Sequence, residues 1–425
     1  MPVMTLKHSL RFGLLSAAAL VAVAAQANAA GFYIQEQSVR GLGSAFSGSV
    51  SNLTDPSTIY FNPAGVTKLD GMQAQAGVNL LIPDSKVKDT GTTPPPPLVT
   101  VGGSSDNPYD PTPVPNGFLS YQVTNNLWAG IGVTAPFGLA SEYDDGWFGR
   151  FDSTKTELQV IDIQPTLAYK INDMFSVGVG LNIEKSNADL RNQVNLGVAE
   201  GSQKLTGDDW GFGYTVGVQF KPMDTTTIGL NYKSSVHHDL DGGVLVTSPL
   251  GTVLDERAKA KLVTPDIATL GISHQLNDRL TIQGQASWFG WNNFDNITVR
   301  FDNPALPSSS VEQNYQTTWA FAVGAEYVAS DKWMLRGGVQ FDATPTTDEY
   351  RTSRTPDGDR TWVSLGATYA ITPKIDLDMA ATYIHIKDEE ISLQRGSFGG
   401  SPNGTMNADT EGNVGILALG VTYKF

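Results

Sequence analysis

The feature that most restricts this chain is a period of two in its hydrophobicity, repeated along nearly its whole length. From Trp210 to Phe220 one face reads Trp210, Phe212, Tyr214, Val216, Val218 and Phe220, with Gly211, Gly213, Thr215, Gly217 and Gln219 between them. Successive side chains leave a strand on opposite faces, so this pattern marks a strand with a different environment on each side. It recurs at Ile375, Leu377, Met379, Ala381 and Tyr383, and at Leu417, Leu419, Val421, Tyr423 and Phe425. Fourteen such segments lie near residues 72–82, 116–124, 126–135, 157–170, 174–188, 209–221, 225–237, 263–275, 279–291, 315–329, 332–342, 360–371, 374–385 and 414–425.

The connections alternate as well. Six are tight and rich in Asn, Asp and Pro, such as Thr124-Asn125-Asn126, Ile171-Asn172-Asp173 and Leu276-Asn277-Asp278. Between them fall seven long loops, among them 83–115, 240–262 and 387–413. Outer-membrane barrels sort their connections in this way, with short turns on the near side and long loops on the far side, whereas a soluble sandwich or propeller has no cause to. Cores of about ten to twelve residues match a tilted strand crossing an apolar band of about 25 Å. Mean hydropathy is only −0.16, but a closed barrel satisfies its backbone without water and needs no apolar helix. The expected fold is an all-β membrane protein: a fourteen-stranded antiparallel transmembrane β-barrel, monomeric, in contact with outer-membrane lipid of a Gram-negative bacterium.

Residues 1–29 read as a secretory signal, with Lys7, His8 and Arg11 ahead of an apolar run and Ala27-Asn28-Ala29 at the cleavage site. Residues 71–425 are the expected barrel. Residues 30–70 do not alternate, because Gly41, Gly43, Gly48 and Gly65 interrupt them, yet they carry Phe32, Tyr33, Phe46, Tyr60 and Phe61. A barrel of this size has a lumen too wide for wall side chains to fill, so this apolar segment is expected inside it as a hatch.

The absence of cysteine excludes a disulfide scaffold, thiolate metal sites and cysteine nucleophiles. Without the leader the chain carries 26 basic and 43 acidic residues, a balance that excludes nucleic acid as a partner. Ser234, Ser235, His237, His238 and Asp239 cluster, but adjacent strand residues face opposite ways, so the two histidines cannot serve one serine or one metal. No dinucleotide or phosphate loop is present. No enzyme, cofactor or metal is expected.

The stretch Gly41-Leu42-Gly43-Ser44-Ala45-Phe46-Ser47-Gly48 and then Asn62-Pro63-Ala64 resembles the hatch of the FadL-type long-chain fatty-acid transporters. The likeness continues through Pro136-Phe137-Gly138-Leu139-Ala140, Trp210-Gly211-Phe212-Gly213, Phe341-Asp342-Ala343-Thr344-Pro345 and Pro356-Asp357-Gly358-Asp359-Arg360 to the terminal Phe425. It implies passive uptake of a hydrophobic small molecule, caught between extracellular loops, passed beside the hatch and released sideways through the wall. Pro136, Phe137 and Gly138 match the family's kinked third strand, and proline and glycine in a strand are themselves marks of an edge or bulge. Asn62 and Ala64 are implied to face that kink.

Phe118, Leu139, Trp147, Phe148 and Phe151 are the expected ligand contacts, with Arg191 the nearest match to the family's carboxylate-binding cations. The tenth-strand stretch Val311-Glu312-Gln313-Asn314 lacks such a cation, which leaves aromatic or aliphatic hydrocarbons open as ligands. Tyr423 and Phe425 resemble the terminal signal read by the barrel-assembly machinery. A plugged barrel acting as adhesin or receptor is the alternative of another class, and an open porin the third.

Overall fold

A computed structural model describes residues 30–96, 100–197, 199–398 and 401–425; the expected leader, 1–29, lies outside the described residues. Fourteen antiparallel strands close into a barrel. They are β1 (Met72–Asp89), β2 (Thr112–Gln122), β3 (Leu127–Glu142), β4 (Lys155–Lys170), β5 (Phe175–Asn195) and β6 (Glu200–Met223). Four strands follow in two pieces each: β7 (Thr226–Lys233, His237–Ser248), β8 (Gly251–Val263, Ile267–Asn277), β9 (Leu280–Phe289, Asn296–Phe301) and β10 (Ser309–Glu312, Thr318–Ser330). The last are β11 (Trp333–Asp342), β12 (Arg360–Thr372), β13 (Ile375–Gln394) and β14 (Thr405–Lys424). Closure runs from Gln73 opposite Lys424 to Asp89 opposite Ala408, so no edge is left there to aggregate.

The wall is inverted relative to a soluble protein. Trp210, Phe212, Tyr214 and Val216 of β6 face outward, Phe212 at 65 % exposure, while Gln75, Asn79, Gln164, Asn182 and Thr215 are buried in the lumen. Apolar surface outside and polar surface inside is what lipid and a filled lumen demand. The tight turns are built by local side chains: Asn172 Oδ1 accepts from Met174 N and Phe175 N (both 2.9 Å), and Asn277 Oδ1 accepts from Arg279 N (2.9 Å) and Leu280 N (3.0 Å).

The long connections depart from the sequence reading. Much of 240–262 and 387–413 is not loop but strand, as β7–β8 and β13–β14 continue past the membrane as paired hairpins. Polar outward residues such as Lys259 and Glu390 hide these extensions, because a strand above the bilayer no longer needs an apolar face. Prolines inside expected strands also find an account. Pro265 lies in the break between the two pieces of β8, and Pro165 sits where the β4–β5 ladder skips from Ile163 to Thr166, each at a place where no donor is required.

Residues 30–69 fill the lumen, with only Asn52, Thr54, Thr67 and Lys68 reaching solvent. They form α1 (Val39–Gly43), α2 (Thr58–Phe61) and a 3₁₀ turn (Pro63–Lys68). Ser38 caps α1 by accepting from Gly41 N (3.1 Å). The anchor is Arg40, buried among three carboxylates: Asp376 and Asp378 of β13, each at 2.9 Å, and Asp55 of the hatch at 3.3 Å.

Candidate functional site

The third strand is where the wall departs from regularity. Thr134 stands opposite Asp162 and Phe137 opposite Val160, so Ala135 and Pro136 share Ile161 as a partner, which is a β-bulge. The β2–β3 ladder ends at Gly117 opposite Val133, although β2 continues to Thr112 beside β1. The half of β2 that β3 leaves contains Pro113 and Pro115, which supply no N–H to a further strand.

The free edge of β3 is taken by the hatch. Ile34 N donates to Pro136 O (2.7 Å), Gly138 N donates to Phe32 O (2.9 Å), and Tyr33 and Phe137 face each other as an antiparallel pair. Gln37 completes the seam, with its Nε2 donating to Ala135 O (2.8 Å) and its Oε1 accepting from Ala135 N (3.1 Å). A side-chain amide thus replaces the ladder bonds that the bulge removes.

Above the hatch lies an apolar cavity of about 80 Å³. Phe32 of the seam and Leu139 of β3 line it, together with Leu158, Leu240, Leu262 and Phe294 from the surrounding wall. Its polar groups include Arg354, carried by the connection 343–359 that folds inward over the lumen. Arg354 Nη1 donates to Lys155 O (3.0 Å) and Thr156 Oγ1 (3.2 Å), and Nη2 to Asn192 Oδ1 (3.3 Å). Burial holds this guanidinium below the usual arginine range, with Asp152 opposing the shift.

The expected site residues fall into separate groups. Leu139 lines the cavity, and Pro136, Phe137 and Gly138 form the bulged edge. Phe118 lies on β2, where it packs over Gly132, and it does not line the cavity. Trp147 and Phe148 belong to a second cluster among the extracellular loops with Tyr143, Ile391 and Met406; Tyr143 and Trp147 stack at 3.9 Å. Phe151 lies under the Arg150 guanidinium, 4.8 Å away.

Arg191 does not line the cavity; it is paired with Asp189 at 2.7 Å and its side chain is 39 % exposed. Arg354, Phe32 and Leu240 do line it, and sequence reasoning missed them. One sign was available: Arg351, Arg354 and Arg360 fall close together in an acidic chain.

Gly41, Gly43 and Gly48 allow close packing within the hatch and against the wall. A Cβ at Gly43 would meet Gly366 Cα at 2.9 Å, and one at Gly41 would meet the Phe46 ring at 2.9 Å; a side chain at Gly48 would run into Gln283. Asn62 Nδ2 donates to Val50 O (2.8 Å) and Val218 O (3.1 Å), while Oδ1 accepts from Ala64 N (3.1 Å). Pro63 and Ala64 press on Gly178 and Gly217. The Asn62-Pro63-Ala64 turn therefore leans on β5 and β6 at these contacts. At the C-terminus Phe425 N donates to Met72 O (3.0 Å), and Tyr423 and Phe425 pack edge to face at 4.7 Å on the outer surface. Among the described residues no group of His, Asp or Glu could hold a metal ion.

The family model described as "Outer membrane protein transport protein (OMPP1/FadL/TodX)" matches residues 20–425. A putative outer membrane protein of Neisseria meningitidis serogroup B is 29 % identical, over 95 % of this chain and 96 % of its own length. The long-chain fatty acid transport protein of Escherichia coli K12 is 24 % identical, over 96 % and 97 %. Among solved structures, a FadL homologue from Pseudomonas aeruginosa superposes with a TM-score of 0.85 at 25 % identity, covering 93 % of this chain and all of that one. The Pseudomonas putida toluene transporter TodX shares the fold at a TM-score of 0.69 and 17 % identity, covering 90 % and 98 %.

Proposed function

The chain belongs to the outer membrane protein transport family of OMPP1, FadL and TodX, and from that premise we propose that it carries long-chain fatty acids inward and releases them at the β3 seam. It is a transport protein for hydrophobic compounds in the outer membrane, not an enzyme. The observation that carries the finer reading is a shared residue: Phe32 both lines the apolar cavity and pairs with the bulged edge of β3. A ligand filling the cavity presses on the strand that closes the wall, so occupancy and opening are coupled through one side chain.

The cavity favours an acyl chain with an anionic head. Its wall is dominated by leucine and phenylalanine, which reward burial at about 25 cal/mol per Å², and Arg354 offers a fixed guanidinium suited to a carboxylate. Arg354→Leu is expected to weaken binding of a fluorescent long-chain fatty acid by about 10- to 100-fold, the cost of about 1.5–3 kcal/mol for one charged hydrogen bond. Binding of an alkane of equal length should not change. If both ligands bind the variant as they bind the parent, the head-group role is lost, and tight binding of the alkane alone would assign hydrocarbons as the cargo.

Assembly is a separate expectation. Phe425 ends the strand that closes the barrel against β1, and truncation after Lys424 is expected to lower outer-membrane abundance while export continues. Undiminished abundance by surface labelling would remove the terminal residue from the signal.

A further inference from the structure

Residues 31–37 of the hatch are held almost atom by atom. Gly31 N donates to Asp357 Oδ2 (2.9 Å), Ile34 N to Pro136 O, Gln340 Nε2 to Gln35 Oε1 (2.8 Å), and Gln37 clamps Ala135. The backbone carbonyl of Glu36 is itself satisfied, accepting from Asn79 Nδ2 (2.7 Å). The exception is the Glu36 carboxyl. It is 0 % exposed, and among the described residues no side-chain donor reaches either oxygen; only the backbone N–H groups of Glu36 and Gln35 lie close enough to favour its ionised form. A fully buried carboxyl with no side-chain donor, inside a segment docked by so many named bonds, is a built-in weakness of the docked state, because burial costs a carboxyl far more when it is charged.

We propose that Glu36 is a positioning residue for the β3 seam: neutral, it lets residues 32–34 dock on β3; ionised, it drives them off. The inference rests on the reading of the seam as the exit and concerns how that exit is set. The groups that bear on Glu36 are Arg360 on β12, Asp342 on β11 and Tyr33 on its own segment. Arg360 favours the ionised form, although its Nε (3.0 Å) and Nη2 are held by Asp357 and only its Nη1 is left without a partner among the described residues, and Asp342 opposes it.

Burial pushes the Glu36 carboxyl up to about 7, with Arg360 the leading charge working against the shift. Undocked and wet, it returns to the ordinary range near 4.5. A carboxyl with a higher pKa when docked favours docking fully below its free value, and that advantage fades as pH rises towards 7. The docking equilibrium should therefore fall by about two orders of magnitude between pH 5 and pH 8.

The seam amides of Ile34 and Gly138 report on this directly. The measurement is amide hydrogen exchange of the full protein in liposomes, expressed as protection relative to the intrinsic rate at each pH, so that the chemistry of exchange cancels. In the parent, protection of Ile34 and Gly138 should fall by about 100-fold from pH 5 to pH 8, while barrel amides stay protected. Glu36→Gln should hold acid-level protection at both pH values. Should the amide variant fail to assemble, Glu36→Ala carries the same expectation of lost pH dependence. Equal protection at both pH values in the parent, or an undiminished fall in Glu36→Gln, would overturn the proposal. Release of naphthalene into the same liposomes, a probe that does not itself titrate, separates the two readings. A seam that responds to pH with a release rate that does not keeps the role of Glu36 and removes the seam as the exit.

Discussion

Deleting residues 30–69 is expected to turn a closed barrel into an open one, with large, stable ion conductance in planar bilayers where the intact protein passes little current. The deleted segment occupies the lumen almost without solvent exposure, and side chains from fourteen strands cannot close the bore alone. The wall should survive, because its ladder runs unbroken from β14 to β1 without help from the hatch. A graded version of the experiment is Arg40→Met. That change leaves Asp55, Asp376 and Asp378 buried without their common cation, an imbalance on the order of 3–5 kcal/mol for the docked hatch. Flickering conductance should follow, and Arg40→Lys should restore only part of the closure, since a single ammonium cannot reach several carboxylates as a guanidinium does. A deletion variant that assembles yet remains closed to ions would mean that something other than the hatch blocks the lumen.

The barrel was legible because lipid imposes its own rule on sequence. Wherever a strand crosses the apolar band its outward positions must be oily, and β6, β13 and β14 display this as plain alternation. Above the band the rule lapses. The upper pieces of β7 and β8 carry Asp239, Asp241, Arg257 and Lys259 outward, so their pairing could not be told from loop. The breaks at residues 234–236 and 264–266 have a different origin. There side chains replace the ladder: Val236 N donates to Thr264 Oγ1 (3.0 Å) and Ser235 N to Asp266 Oδ1 (2.9 Å), and neither Thr nor Asp announces such a role in sequence. His237 and His238 do what strand geometry requires, the first exposed and the second buried against Glu184 at 3.2 Å.

The site was legible only where backbone chemistry spoke. Pro136 and Gly138 point to a broken ladder from residue type alone, and the bulge lies there. What occupies the free edge could not be read, because residues 32–34 are more than a hundred positions away and carry no turn or pairing signal towards β3. The cavity is likewise assembled from single inward residues of several strands and one folded connection, each unremarkable in its own segment. Aromatic residues cannot be sorted by type alone. Trp147 and Phe148 serve a small loop core that steadies the extracellular mouth, a need any long loop meets with the same residue types that a ligand site uses.

The second large effect concerns the seam itself. Tyr33 and Phe137 pair between the flanking bonds Ile34 N to Pro136 O and Gly138 N to Phe32 O, which makes them a non-hydrogen-bonded antiparallel pair. Such pairs hold their Cα atoms about 4.5 Å apart, within the range of about 4.4–6.8 Å that a disulfide accepts. Because the chain has no cysteine of its own, Tyr33→Cys with Phe137→Cys should form one defined crosslink. Oxidised, it ties the hatch to β3, and uptake of a labelled fatty acid should drop to that of cells lacking the protein; reductant should restore it, and each single variant should transport throughout. The opposite perturbation is Gly138→Val. A Cβ there would meet the terminal methyl of Ile34 at 2.9 Å and Leu158 O at 3.4 Å, so the Ile34 side chain must turn aside, and the two further methyls of valine should loosen the docked hatch strand and raise uptake. Unimpaired uptake through a barrel whose crosslink is proven by mass would place the exit elsewhere, through the hatch to the periplasm.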